Sequence, residues 1–183
     1  MRLALPKEAP AIAEVQRRGW AEQPGPLAQA MLSGVDTDTM TQAWHAAITR
    51  PPLASCRIVV AVAENRGDEP QRVVGFASLL PCDDPDADPA TDGMIQDLVV
   101  DPQVRRQGHG SRLLNAAVDT LRADGFGRAT CWVGSTDDTT RAFLTGAGWA
   151  ADGSHREIGD EDESVRIKQV RLHTDISQDS PAN

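Results

Sequence analysis

The chain has 183 residues, 40% of them hydrophobic and 25% charged, with a formal net charge of −9. That size and balance suit one globular domain and exclude a disordered chain. The acidic surplus disfavours nucleic acid as a partner, since its phosphates would be repelled.

Arg2 to Leu5 reads as a short first strand. A helix follows from Pro6, with Ile12, Val15 and Trp20 near helical spacing, until "QPGP" (Gln23–Pro26) breaks it. A second helix spans Asp38–Thr49, where Met40, Trp44 and Ile48 repeat every four residues and Pro51-Pro52 ends the run. "CRIVVAVAEN" (Cys56–Asn65) and "RVVGFASLL" (Arg72–Leu80) form an antiparallel hairpin about the turn "RGDEP". The acidic, proline-rich "PCDDPDADPATDG" is an exposed loop before the strand Met94–Val100.

Gln107–Ala123 carries its apolar residues, Leu113, Leu114, Ala117, Val118 and Leu121, on one helical stripe closed by "ADGFG". Arg128–Gly134 is a strand, and Ser135–Gly148 a short helix opened by capping residues. Trp149–Ile158 and Ser164–Leu172 make a last hairpin about "GDEDE". Residues 1–172 form one domain and 173–183 a polar tail. The order is strand, two helices, three strands, helix, strand, helix, two strands, which implies an α/β (α+β) fold with a mixed sheet and helices on its faces.

No apolar run approaches a membrane span, and "MRLALPKEAP" lacks a signal-peptide core. We expect a cytoplasmic protein with no membrane partner. Cys56, Cys82 and Cys131 are widely spaced and have no histidine cluster beside them, so reduced structural thiols and no metal site are expected.

The segment Asp97–Leu114, "DLVVDPQVRRQGHGSRLL", concentrates positive charge in this acidic chain. Arg105, Arg106, His109 and Arg112 surround Gly108 and Gly110 where a strand gives way to a helix. A helix N-terminus exposes unpaired N–H groups and the positive end of the peptide dipole. Glycines let an anion approach, and the arginines add charge, so the turn reads as a pyrophosphate cradle. A tight turn with solvated arginines is the plainer alternative. The turn lacks the G-K-[ST] of a P-loop, and Leu113 stands at the third glycine position of the dinucleotide fingerprint.

The pattern R-x-x-G-x-G, as Arg105-Arg106-Gln107-Gly108-His109-Gly110 after "LVVDP", resembles the acetyl-CoA signature of the GNAT superfamily of N-acetyltransferases. "LPKEAPAIAEVQRRGW" resembles that family's first strand and helix. "RAFLTGAGWAADG" resembles its A-x-x-[FL]-Y-x-x-x-G-F segment, with Trp149 at the final aromatic place. The resemblance spans Arg2–Leu172 and implies a mixed, mostly antiparallel sheet with flanking helices. It further implies acetyl-CoA between the diverging ends of Met94–Val100 and Arg128–Gly134. The pantetheine would pair with the backbone of Leu98, Val99 and Val100, and the pyrophosphate would lie on Arg105 to Gly110. An N–H near Val99 would serve as an oxyanion hole.

The implied reaction is direct attack by a primary amine in a ternary complex. An amine of pKa about 10.4 must lose a proton first. Asp97, in Ile95-Gln96-Asp97-Leu98-Val99-Val100, resembles an aspartate that faces the acceptor in amino-sugar acetyltransferases of this family. A surface aspartate paired with an arginine is the alternative. Asp137 is a second candidate, at a position often Asn in the family; it equally suits a helix cap. Leu144 stands where many members carry a proton-donating tyrosine, and the chain has no tyrosine. That departure keeps a non-catalytic acyl-CoA-binding module as the alternative. A phosphate- or nucleotide-binding domain that mimics the motif is a third reading. Acidic residues Asp36, Asp38 and Asp160–Glu163 point to a cationic small-molecule amine or a basic peptide as acceptor, or are simply solvated. The sequence leaves room for a homodimer.

Overall fold

The computed structural model describes residues 1–23, 26–63, 71–159 and 166–177. Its strands are β1 (Arg2–Leu3), β2 (Arg57–Val62), β3 (Val73–Pro81), β4 (Asp92–Val100), β5 (Arg128–Gly134), β6 (Ala150–Gly159) and β7 (Arg166–Asp175). Its helices are α1 (Ala9–Ala21), α2 (Pro26–Gly34), α3 (Thr37–Thr49), α4 (His109–Ala123) and α5 (Asp138–Gly146). The strands make one seven-stranded sheet in the order β1-β2-β3-β4-β5-β7-β6. Every pairing is antiparallel except β4 with β5. This is the mixed, mostly antiparallel sheet with flanking helices expected from the sequence.

Both faces of the sheet are covered, which is why the central strands are apolar on both sides. On one face the α4 stripe Leu113, Leu114, Ala117 and Leu121 packs on Val59, Ala61, Val74, Ala77, Leu79 and Ile95. On the other, Ile12 and Val15 of α1 meet Ile58, Val60, Val73 and Phe76. Trp44 of α3 stands edge-on to Phe76 at 4.9 Å, and its indole N–H donates to Gln16 Oε1 at 2.8 Å. Gly19 lets α1 close onto β4: a Cβ there would lie 3.0 Å from Val99 Cγ1.

Three helices, not two, separate β1 from β2. The added one, α2, follows the "QPGP" break. Its last carbonyls lack intrahelical donors. Arg17 of α1 supplies them, through Nη1 to Val35 O at 2.6 Å and Nη2 to Leu32 O at 3.3 Å. The sheet also runs past Leu172: β7 pairs with β5 as far as Asp175, and Ile176 beyond it is buried, its N–H donating to Gly127 O at 2.8 Å. The turns expected at "RGDEP" and "GDEDE" lie outside the described residues, as does the end of the tail.

Candidate active site

β4 carries an irregularity that organises the site. Leu79 pairs with Ile95 and Ser78 with Asp97, so Gln96 has no partner on β3. Such a bulge puts one extra residue into the strand, bends it and raises its twist. On its other side β4 pairs with β5 only at Asp92–Arg128, Gly93–Ala129 and Met94–Thr130. Beyond that point β5 stays paired with β7 as far as Gly134, while β4 continues alone to Val100. The two strands diverge, and the far half of β4 keeps a backbone edge that no strand among the described residues covers.

Leu98, Val99 and Val100 lie on that edge. Leu98 and Val100 pack toward the α4 face and Val99 toward the α1 face. Their side chains are therefore committed to the two cores. What they offer the gap is the backbone polar groups that a ladder partner would have taken, a ready template for an extended ligand.

The chain leaves β4 through Asp101, which is fully buried. Its carboxylate accepts from Arg18 Nη2 at 3.0 Å and from Gln103 N–H at 3.1 Å, which ties α1 to the end of β4. After one 3-10 turn, Pro102–Val104, the loop bends twice through the left-handed region, at Arg106 (φ 62°) and Gly108 (φ 76°). Gly108 takes that conformation without the Cβ penalty of other residues. α4 then starts at His109, so the first N–H groups from His109 onward have no intrahelical acceptor. Arg105, Arg106, Gln107 and Gly108 are exposed; His109 and Gly110 are half-buried. A Cβ on Gly110 would lie 3.6 Å from Phe143 of α5 and 3.8 Å from Val100, so the helix start faces the α5–β4 gap.

The cations of this turn have distinct jobs. Arg105 pairs with Glu22 at 2.7 Å, an exposed contact of small energetic weight. Arg112 reaches back to Gly108 O at 3.2 Å and Gln107 O at 3.1 Å, so it braces the loop. His109 is driven below its ordinary pKa by burial and then by the Arg112 charge, which favours its neutral imidazole.

Asp97 is half-buried at the bulge. Its Oδ2 accepts from Ser78 Oγ at 2.6 Å, and its own N–H donates to Ser78 Oγ at 3.1 Å. Among the described residues no arginine pairs with it. Burial raises its carboxyl above the ordinary aspartate value, and the Ser78 hydrogen bond opposes the rise. Asp137 caps α5 with Oδ1 accepting from Thr140 N–H at 3.0 Å. Cys131 of β5 is buried, and its thiol is pushed up to about 12 by burial and then by the Asp97 charge. It is an inert thiol near pH 7. Leu144 has no exposed surface and belongs to the α4-side core.

Two features escaped the sequence reading. One is Ser78, whose signal was a lone hydroxyl within the apolar run "GFASLL". The other covers the far half of the α1-side face. Arg171 of β7, 2% exposed, donates to Asp152, Asp84, Asp86 and Ser154. Trp132 Nε1 donates to Asp84 at 3.0 Å, and Arg156 lies over the indole at 4.3 Å. These residues meet from the β3–β4 loop and three strands, so no local pattern announces them. Asp36, expected on an acidic rim, is exposed and also caps α3 through Thr39 N–H at 2.7 Å; Asp160–Glu163 lie outside the described residues.

The family model described as the acetyltransferase (GNAT) family matches residues 25–149. The chain belongs to that family. Solved structures share the fold at low identity. An N-acetyltransferase from Staphylococcus aureus Mu50 superposes with a TM-score of 0.71 at 16% identity, over 96% of this chain and 97% of that one. The yncA protein of Salmonella typhimurium, solved with its cofactor acetyl-CoA, gives 0.70 at 17%, over 100% and 96%. A ribosomal-protein-alanine N-acetyltransferase from Brucella melitensis gives 0.70 at 16%, over 95% and 98%. A sequence comparison with curated proteins gives no match. Among the described residues no helix is long and apolar enough to cross a membrane.

Proposed function

We propose that this chain is a cytoplasmic N-acetyltransferase that moves an acetyl group from acetyl-CoA to a primary amine by direct attack in a ternary complex. The observation that carries the reading is the uncovered edge of β4, which has a carboxylate at one end and a glycine-turned helix start at the other. These residues fit the cofactor. Backbone groups of Leu98, Val99 and Val100 suit its pantetheine amides. The N–H groups from Arg105 to Gly110, with the Arg106 side chain, suit its pyrophosphate. When bound, acetyl-CoA supplies an activated acetyl thioester.

Asp97 takes the proton that the ammonium form of the acceptor must lose, directly or through one water. Burial raises its carboxyl pKa, which makes the ionised carboxylate a stronger base. A β4 N–H near Val99 donates to the oxygen on which charge develops. Leu144 offers no proton to the departing sulfur, so solvent supplies it or the thiolate leaves as the anion. The Leu144 side chain is also the observation that favours a non-catalytic acyl-CoA-binding module as the second reading. A cationic small-molecule amine or basic peptide remains our acceptor class.

Thiol release measured over a panel of amines separates the two readings, since a binding module releases none. For the best amine, Asp97→Asn is expected to lower kcat/KM about a hundredfold. Acetyl-CoA affinity, read by calorimetry, is expected to hold, because the cofactor contacts there are backbone groups. Full activity of Asp97→Asn would move the base to Asp137 or to ordered water.

A further inference from the structure

We infer that Ser78 is the positioning residue for Asp97, one hydroxyl that both closes the β4 bulge and dictates which carboxylate oxygen receives the proton. The inference rests on the reading of Asp97 as the base.

A bulge disrupts the ladder locally and leaves its extra residue unpaired. At this one the Asp97 N–H is met by the Ser78 side chain, at 3.1 Å. A hydroxyl carries a single proton. Because Ser78 Oγ accepts from that N–H, its proton is directed onto Asp97 Oδ2, at 2.6 Å. Oδ2 is thereby engaged, and Oδ1 has no partner among the described residues. The same hydroxyl favours the ionised carboxylate against the cost of burying it. Bulge and base are thus one unit: the distortion that accompanies the free β4 edge also orients the proton acceptor at its end.

The groups that face Asp97 leave Ser78 as its polar control. From β5 the Cys131 thiol senses the carboxylate, and it stays neutral up to about pH 12. On α1, packed over the same face, Arg17 is committed to the α2 carbonyls and Arg18 to Asp101 and Glu14.

The test uses Ser78→Ala and Ser78→Thr in the full chain. The readouts are the pH profile of kcat/KM and a carbon-13 NMR titration of the Asp97 carboxyl. Loss of a hydrogen bond to a charged group is expected to move the Asp97 titration and the acidic limb upward together by about one pH unit. Below that limb this is an about tenfold loss of rate. The amine's own titration is common to both enzymes and cancels. Threonine restores the hydroxyl and is expected to restore the limb; acetyl-CoA affinity is expected to hold in both variants. If Ser78→Ala does not fold, Ser78→Cys keeps a weak donor in place and is expected to raise the limb in the same direction. An unmoved limb and titration in Ser78→Ala, alongside an inactive Asp97→Asn, would overturn the role of Ser78 alone. Full activity of Asp97→Asn would overturn the base itself, and this inference with it.

Discussion

Leu144 shows how a single side chain alters what a shared pattern means. It stands where the family resemblance implies a phenol, yet it belongs with Leu113, Leu114 and Trp149 to the α4-side core and has no exposed surface. A hydroxyl added there would sit among apolar neighbours, and the larger ring would strain the packing. We expect Leu144→Tyr to lose about 1–3 kcal/mol of stability in urea unfolding. Unchanged stability would show that the side chain turns out toward the β4–β5 gap. Asp97 and Asp137, both candidates from their positions, differ in their surroundings: Asp97 is half-buried beside a hydroxyl, and Asp137 accepts from Thr140 N–H at the start of α5.

At the scale of elements, the unit that matters is β4, its exit loop and α4. Two carbonyls of the loop, Gln107 O and Gly108 O, are taken by the Arg112 brace. Gly110 stands where the start of α4 faces α5 and β4. A Cβ there makes only ordinary contacts, so a small residue is compatible with the fold; a large one must enter the gap. We expect Gly110→Trp to fold, by circular dichroism, and to weaken acetyl-CoA binding at least about tenfold by calorimetry, the loss of about 1.4 kcal/mol. Unchanged affinity would take the pyrophosphate off this loop. α2 teaches the opposite lesson. Nothing in its nine residues, "PLAQAMLSG", announces that the arginine bonded to the carbonyls at its C-terminal end belongs to α1.

Across the whole molecule, the α1-side face of the sheet is divided in two. Helices α1 and α3 cover β2 to β4, and the β3–β4 loop is clamped onto β5, β6 and β7 through Arg171. Removing that cation takes the close ion pair from Asp84, which keeps the Trp132 indole N–H, and leaves Asp152 with Arg128. We expect Arg171→Met to lose about 3–5 kcal/mol by chemical unfolding. The clamp also carries a pH signature. Chiefly through its hydrogen bond with Arg171, the Asp86 carboxyl titrates at about 2, below its ordinary value. A depressed folded pKa gives stability that is fully present above the unfolded value, about 3.9, and is lost as pH falls through the folded one. Wild-type Tm is therefore expected to fall between about pH 4 and pH 2, and Asp86→Asn to fall less over that window; equal slopes would detach Asp86 from the clamp. What the sequence by itself determined was local. The apolar stripe of α4, the glycine and arginine turn before it, and the apolar runs of β3 and β4 each lie within a short span, where backbone preferences and periodicity act directly. That was enough to anticipate the fold and to single out the turn we propose for the cofactor. Only the tertiary structure decided the bulge at Gln96, the hydroxyl that Ser78 sets against Asp97, the burial of Leu144 and the Arg171 clamp. Each joins residues far apart in the chain, and their energies come from desolvation and hydrogen bonding that exist only once the strands are side by side.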